Sequence, residues 1–282
     1  MKNIILSLII IISLNTVSNA QEKEKIKGSR EVVTLSNTVK PFNRLVIGEE
    51  FDVRLIRSDE YSVEITADDN LHDIIEILSF DGTLSFKTTK RISSSKKLEI
   101  TVLYSDSLNT IELNKKAEIS SDVILKFQDL TLVTTENSKA FLTIKSNKFK
   151  LSHNDNAKAE LNVTSDHMTL ELNDNSNVKA LLKGENLEVD MVQRSKAKIE
   201  GNTINFELNA DNSCQFTGEK LTTKNANIIT NNRCKVEVEV QDTLTLNASG
   251  TSEISVYGSP KINLQKFENE AIIYKKEKED LK

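Results

Sequence analysis

A repeat of about 19 residues, running from Leu130 to Val256, constrains the fold of this chain more than any other feature. Four segments show it without gaps, 19 positions apart: LTLVTTENSKAFLTI from Leu130, FKLSHNDNAKAELNV from Phe149, MTLELNDNSNVKALL from Met168 and LEVDMVQRSKAKIEG from Leu187. Further units are predicted to begin at Ile204, Lys224 and Leu244. Apolar and polar residues alternate within each unit, as in a strand with one buried face. A unit this short cannot bury its own apolar face, so the units must stack.

Each unit contains two alternating runs separated by turn residues, so one unit forms one coil of a β-solenoid. The sequence therefore predicts an all-β, single-stranded parallel β-helix in which equivalent residues of neighbouring coils lie about 4.8 Å apart. Two columns of residues are predicted to point into the core. The first contains Ala140, Ala159, Val178, Ala197, Cys214, Cys234 and Ile254, and the second contains Leu142, Leu161, Ala180, Ile199, Phe216, Val236 and Val256.

The turn before the second run of most units is rich in Asn and Asp, and the chain has only eight glycines. Because Asn and Asp tolerate a left-handed backbone, we predict that they form a repeated corner of the coil. Stacked Asn side chains can also bond to one another along the solenoid axis. The predicted corner residues are Asn137, Asn156, Asn175, Asp211 and Asn231.

The first twenty residues have the features of a secretory signal peptide. Lys2 precedes an apolar run from Ile4 to Leu14, and the segment ends at the small residue Ala20. An uncleaved membrane anchor is the alternative, but this run is short for a bilayer. Cleavage after Ala20 predicts an exported protein in the periplasm, on the cell surface or outside the cell. Loss of Lys2 takes the formal charge from -5 to -6, and an acidic surface argues against nucleic acid as a partner.

The remainder of the chain is expected to form one continuous domain, because no linker interrupts it. The predicted divisions are a signal peptide (1–20), a flexible lead-in (21–38), N-terminal coils (39–110), the regular repeat (111–264), a C-terminal cap (265–274) and a charged tail (275–282), with 39–274 as a single β-helix domain. The N-terminal runs lie about ten residues apart and predict half-coils joined by tighter turns. Residues 90–97 are expected to form an exposed, mobile loop. The cap should close the last coil, which predicts a monomer. No transmembrane segment is predicted after signal cleavage.

Two stretches resemble a known family. The segments that carry the resemblance are Pro41-Phe42, Gly48 to Val53, Tyr61 to Ile65 and Asp81 to Leu84 near the beginning, and Gly250 to Ile262 near the end. Over about Val39 to Leu264 the chain resembles the auto-transporter adhesin head GIN domain family. The resemblance implies a secreted bacterial domain built as a right-handed β-helix, and it brings no catalytic motif. This chain departs from the family at its corners, where Asn-Ser or Asp-Asn replaces Gly-Ser-Gly.

The sequence offers few residues for chemistry. His72, His153 and His167 are scattered, and no spacing of His, Cys and carboxylate residues indicates a zinc site. No nucleophile motif or phosphate-binding loop is present, so neither a cofactor nor a catalytic residue is predicted. Cys214 and Cys234 are expected on adjacent coils, either as stacked core thiols or as a disulfide favoured by export.

Two charged columns are predicted along the solenoid. Stacked carboxylates repel one another, and Ca²⁺ could relieve that repulsion. Relief by neighbouring lysines and solvent is the alternative that the sequence favours. The acidic column contains Glu136, Asp155 and Asp174, and the basic column contains Lys139, Lys158 and Lys196.

Two classes of function fit these observations. The first is a non-catalytic adhesion, binding or structural module that displays polar columns to an envelope glycan or protein. The second is a polysaccharide-active enzyme, since β-helices commonly act on acidic sugars. Such an enzyme usually needs aromatic platforms for sugar rings, whereas this chain has no Trp and four Tyr. The sequence therefore favours the binding module.

Overall fold

The computed structural model describes residues 23–277. This part of the chain is nearly all β and forms a β-solenoid of about nine turns with coils of about 19 residues, which confirms the predicted fold class. The elements are β1 (Lys25–Lys27), β2 (Val32–Thr38), β3 (Arg44–Ile47), β4 (Asp52–Arg57), β5 (Ser62–Asp68), a 3-10 helix (Asp69–Ile74), β6 (Ile75–Phe80), β7 (Thr83–Thr88), β8 (Arg91–Ser94), β9 (Leu98–Tyr104), β10 (Thr110–Leu113), β11 (Glu118–Lys126), β12 (Asp129–Thr134), β13 (Lys139–His153), β14 (Lys158–Leu172), β15 (Asn177–Lys183), β16 (Asn186–Val192), β17 (Lys196–Asp211), β18 (Gln215–Thr230), β19 (Lys235–Ala248), β20 (Glu253–Gly258), β21 (Lys261–Phe267) and β22 (Ile272–Lys275).

Each coil of the regular repeat contributes a first strand before the corner and a second strand after it. Long strands such as β13 and β14 supply the second strand of one coil and the first strand of the next, and they pair in parallel along their whole length. Strands of each kind therefore stack into two sheets, which we call the first-strand sheet and the second-strand sheet. Leu161 and Ile199 point into the core between them and are buried, as predicted.

The predicted columns are correct in the first four units and wrong in the next two. Pairing places Ala197 beside Phe216, and Phe216 beside Val236, so the first column does not contain the cysteines. The units predicted to begin at Ile204 and Lys224 begin instead at Phe206 and Ala226, the partners of Leu187 and Leu244. The error arose because the spacing of equivalent residues changes from 19 to 20 and then 18 at these coils.

The predicted corner residues lie in or beside the turns, but the left-handed residue is a different one. In the first three of these corners it precedes the Asn, at Glu136, Asp155 and Asp174, with φ values of 57°, 59° and 58°. The later corners use Asn212 and Asn232 rather than Asp211 and Asn231. The assignment of left-handed backbone to the five predicted residues is therefore wrong by one position.

Stacked Asn side chains bond along the axis, although these pairs are not the predicted corner residues. Asn173 donates to Asn154 at 2.7 Å beside the corner, and Asn205 donates to Asn186 at 2.9 Å on the first-strand sheet. A buried hydroxyl also forms a hydrogen bond with the backbone at the bend between coils, where Ser165 donates to the carbonyl of Asn147 at 2.9 Å. The Ser165 hydroxyl thereby supplies a partner for a backbone carbonyl at the bend.

The N-terminal region departs from a simple stack of parallel half-coils. The coil formed by β3 and β4 lies between the pair β10 and β11 on one side and the pair β7 and β9 on the other, so spatial order differs from chain order. Strands β5 and β6 run antiparallel to their neighbours. Strand β2 pairs with β5 along seven residues, so the prediction of a flexible lead-in is wrong over this strand.

The carboxylate of Asp68 ties the N-terminal segments together. It is fully buried and accepts hydrogen bonds from the backbone N–H groups of Arg30, Lys96 and Lys97 at 3.0 to 3.1 Å. Burial alone would raise the pKa of Asp68, but these backbone donors hold it below its ordinary value. The segment predicted as a mobile loop is therefore anchored, and its strand β8 pairs with β1.

The C-terminal coil is only partly covered. Strand β22 pairs with β20, and Ala271 is buried against the core. Ile262, Leu264 and Phe267 of β21 pair with the buried residues of β19 but remain 44%, 49% and 47% exposed. The predicted cap therefore leaves the apolar face of the last coil open.

Some predictions fall outside the described residues. The predicted signal peptide lies there, as do the last five residues of the predicted tail, 278–282. No helix within residues 23–277 has the length and hydropathy that a membrane span requires.

Candidate functional site

His153 is buried in the core at the end of a first strand. Its Nδ1 accepts a hydrogen bond from the hydroxyl of Thr134 on the preceding coil, and its Nε2 donates to the carbonyl of Asn177 at 3.2 Å. Burial lowers the pKa of His153 to about 4, so the imidazole is neutral at physiological pH. The side chain joins three coils and has no access to a ligand, which makes its role structural.

The other two histidines lie at the surface, far apart in the sequence and in different parts of the fold. Nε2 of His72 bonds the carbonyl of Val33 at 3.1 Å. His167 stands at one end of the Asn ladder, 3.3 Å from the amide of Asn186. Residues 23–277 contain no cluster of three or more His, Cys, Asp or Glu side chains placed to hold a metal ion.

The acidic column is built from the left-handed corner residues. The carboxylate of Asp155 accepts a hydrogen bond from the backbone N–H of Glu136 at 2.9 Å, so it closes the corner of the preceding coil. Among the predicted basic residues, Lys139 pairs with Glu118 at 3.1 Å rather than with the acidic column. Asp155 thus stabilises the backbone of the neighbouring corner.

The two cysteines occupy the last position of their corners. Register places Cys214 beside Cys234 and Ser195, outside the strand column that was predicted for them. Both thiols are free and buried. The Sγ of Cys214 donates to the carbonyl of Asp211 at 2.8 Å. The hydrogen bond between the two thiols raises the pKa of Cys214, and burial raises it further.

An open groove of about 560 Å³ crosses the outer face of the second-strand sheet. Four successive coils contribute outward side chains to it. Phe141 is 37% exposed although it lies at a position where alternation predicts a polar residue. The lining side chains used below are Phe141, Glu160, Asn162, Lys179, Leu181 and Lys198.

Irregularities in strand pairing frame the groove at both ends. On one side, β11 slips against β13 between Ser120 and Ile124. On the other side, β17 slips against β18 between Lys198 and Glu200. Bulges of this kind bend a strand and re-aim its side chains, and they occur often beside functional sites. The flat face of a regular solenoid is thereby turned into a bounded depression.

The groove combines an apolar surface with charges of both signs. Lys179 pairs with Glu160 at 3.1 Å on the adjacent coil, and both side chains are more than half exposed. Such an exposed pair contributes little to stability, so its groups are available to a ligand. Phe141 and Leu181 supply apolar area beside this pair. The arrangement can hold a ligand that has both apolar faces and hydrogen-bonding groups.

A second charged cluster continues the same sheet toward the N-terminus. Burial raises the pKa of Asp52, and the neighbouring carboxylates of Glu118 and Glu99 raise it further. Arg54 opposes this effect and lies 3.9 Å from Glu99. The outer face of the second-strand sheet therefore carries mixed charge well beyond the groove.

Sequence reasoning did not identify the groove residues. The available signal was the presence of Phe141 and Leu181 at outward positions of an alternating pattern. Isolated exposed apolar residues are common on protein surfaces and carry no meaning alone. Only stacking places these two on one face, with one coil between them.

Comparison with known families and structures gives a consistent result. A family model described as "Putative auto-transporter adhesin, head GIN domain" matches residues 41–180 and 155–260. No curated protein sequence matches the chain.

Several crystal structures share the fold. A putative adhesin from Parabacteroides merdae ATCC 43184 has a TM-score of 0.61 at 15% identity, with 91% of this chain and 100% of that chain covered. A putative adhesin from Parabacteroides distasonis ATCC 8503 has a TM-score of 0.61 at 18% identity, covering 90% and 98%. A protein of the same organism described as a putative lipid binding protein has a TM-score of 0.56 at 14% identity, covering 91% and 100%. At these identities the likeness shows the fold alone.

Proposed function

The chain belongs to the auto-transporter adhesin head GIN domain family, and on this premise we propose that it is a non-catalytic binding module of the cell envelope. The groove on the second-strand sheet is the ligand-binding surface in this proposal. The observation that carries it is the exposed Phe141 among charged and amide side chains, in a depression bounded by two irregularities of the sheet.

The ligand class follows from the groove's chemistry. Sugar rings have apolar faces that pack on aromatic side chains and hydroxyls that bond to carboxylates, amides and ammonium groups. Phe141 and Leu181 supply the apolar part, while Glu160, Asn162 and Lys179 supply the polar part. An open groove that crosses four coils suits an extended chain better than a small molecule. We therefore propose an envelope glycan as the ligand.

Binding to purified envelope polysaccharides, measured by calorimetry, tests this proposal. Phe141→Ala should weaken binding by about tenfold, because a central aromatic contact contributes on the order of 1.4 kcal/mol. Ile204→Ala is the matched control, since Ile204 is similarly exposed at 40% but lies outside the groove. Equal affinities of the two variants would exclude the groove. If the chain binds envelope proteins and none of the polysaccharides, the ligand is a protein and the proposed glycan is wrong.

Export through a cleaved signal peptide is part of the same proposal. The charged start, apolar run and small residue at position 20 support it. The mass of the chain recovered after expression in a bacterial host should correspond to residues 21–282. A mass that includes residues 1–20 would show that the segment stays attached.

A further inference from the structure

The last coil of the solenoid exposes side chains that the same positions bury elsewhere. Ile262, Leu264 and Phe267 pair with Leu244, Leu246 and Ala248, which are fully buried. In the other sheet, Ile273 of β22 pairs with the buried Ile254 but is itself only half-buried, and its neighbours Ile272 and Tyr274 on the outer face are exposed. Both strands have a neighbour on one side, β19 for β21 and β20 for β22, and within residues 23–277 no strand pairs with their other edge.

We propose that this coil binds the same coil of a second copy of the chain and forms a tail-to-tail dimer. A two-fold axis that passes through both sheets would pair β21 with β21 and β22 with β22, each in antiparallel orientation. A patch that binds itself in this way makes a closed dimer. The sequence alone predicts a monomer, because it places a closed cap where the structure has an open coil.

The alternation of side chains fixes the register of this pairing, because directly opposed residues lie on the same face of a sheet. In the first-strand sheet, Leu264 meets Leu264 of the second copy, and because the strand bulges at Gln265, Ile262 meets its Phe267. In the second-strand sheet, Ile273 meets Ile273 of the second copy, and Ile272 meets its Tyr274. The inward residues Ile262, Leu264, Phe267 and Ile273 thus gain apolar partners, and the outward Ile272 and Tyr274 pack against each other across the interface.

The charges of the two copies are complementary in the same register. Lys261 falls opposite Glu268 of the second copy. Within each copy, the ammonium group of Lys266 lies 3.2 Å from the carboxylate of Glu268. Lys276 falls beside Glu270 of the second copy. Within each copy, the ammonium group of Lys276 lies 5.3 Å from the centre of the Tyr274 ring. Symmetry repeats each pair. Because opposite charges favour this alignment and no like charges face each other within the two strands, the coil is matched to a second copy of itself.

This dimer would place the two ligand-binding grooves on one side. A two-fold axis through both sheets keeps the second-strand sheets of the two copies on the same side of the assembly. If the proposed function holds, two grooves facing one way would raise the avidity for a repeating glycan. The dimer itself does not depend on the groove.

A charge exchange at exposed positions tests the interface without disturbing the core. Sedimentation equilibrium of the purified chain should give a monomer–dimer equilibrium. Lys276→Glu and Glu270→Lys should each raise the dimer Kd by about tenfold, because each places two like-charged pairs across the interface. The double variant restores opposite charges and should return the Kd to that of the unchanged chain. Glu171→Lys is the control, since it breaks the exposed pair with Lys150 on a central coil and should leave the Kd unchanged.

A second variant tests the apolar contact. Leu264→Glu places two carboxylates at the two-fold axis and should give a monomer with an unchanged circular dichroism spectrum. The proposal is overturned if the chain is monomeric at all concentrations, or if its mass grows beyond a dimer, as head-to-tail association would require. It is also overturned if the dimer persists in Leu264→Glu, or if the double charge exchange fails to restore it.

Discussion

The buried histidine should make the stability of this solenoid depend on pH. The pKa of His153 is lowered by burial to about 4, whereas an unfolded chain holds a histidine near its ordinary pKa of about 6.5. Between these two values the unfolded chain binds more protons than the folded one. Stability is therefore complete above pH 6.5 and is lost as the pH falls toward 4.

The size of the effect follows from the two pKa values. Linkage gives a loss of about 2 kcal/mol in unfolding free energy between pH 7 and pH 5, since each pKa unit corresponds to about 1.4 kcal/mol.

Urea unfolding at several pH values between 7 and 5 measures this loss directly, provided that the m-value stays constant. His153→Leu should remove most of the slope, because it removes the titrating imidazole. The leucine should fit the core, because Leu172 occupies the equivalent position of the next coil. It should also lower stability at pH 7 by about 1 kcal/mol, because the buried hydroxyl of Thr134 loses its partner. The exposed His167→Leu is the control and should keep the slope. Parallel slopes for the unchanged chain and His153→Leu would refute the reasoning.

Three further outcomes are expected from thermal or urea unfolding. Leu161→Asp should prevent folding, because burial of that side chain contributes about 1.5 to 3 kcal/mol and a charge there has no partner; a soluble, cooperative variant would contradict the assigned core. Gln193 has a φ of 64°, so Gln193→Gly should be tolerated while Gln193→Val should cost about 1 to 2 kcal/mol, and equal stabilities would show that this corner is not left-handed. Gly201→Ala should destabilise strongly, because an added Cβ would lie 1.9 Å from the carbonyl oxygen of Leu182, whereas Gly48→Ala meets nothing within 4 Å and should be neutral.

The architecture was predictable because the repeat is local information. Alternation within each unit identifies the buried face of a strand, and the constant spacing of four units requires stacking. Ala140, Ala159 and Val178 consequently stand in register as the pattern predicts. The Asn ladders were predictable for the same reason, since equal spacing brings like residues together along the axis.

The sequence failed where the spacing changes or where long-range pairing decides. Cys214 was assigned to the wrong column because the coils before and after it differ in length, and only pairing with Cys234 and Ser195 reveals its corner position. The left-handed residue of each corner was displaced by one, because several polar residues in the turn are equally suited to it. The polar segment at β2 reads as a lead-in, yet antiparallel pairing with β5 orders it.

The sequence by itself therefore determined the coil, its period and most of the residues that face inward. Only the tertiary structure decided how the ends of the solenoid are built and where its outer face forms a groove. These features depend on residues far apart in the chain that stacking brings to one face, such as Phe141 and Lys198 in the groove lining, and on the absence of a further coil beyond β21 and β22 in the described residues. Local periodicity carries no information about either, because it describes a repeating unit and not the places where the repetition is interrupted or stops.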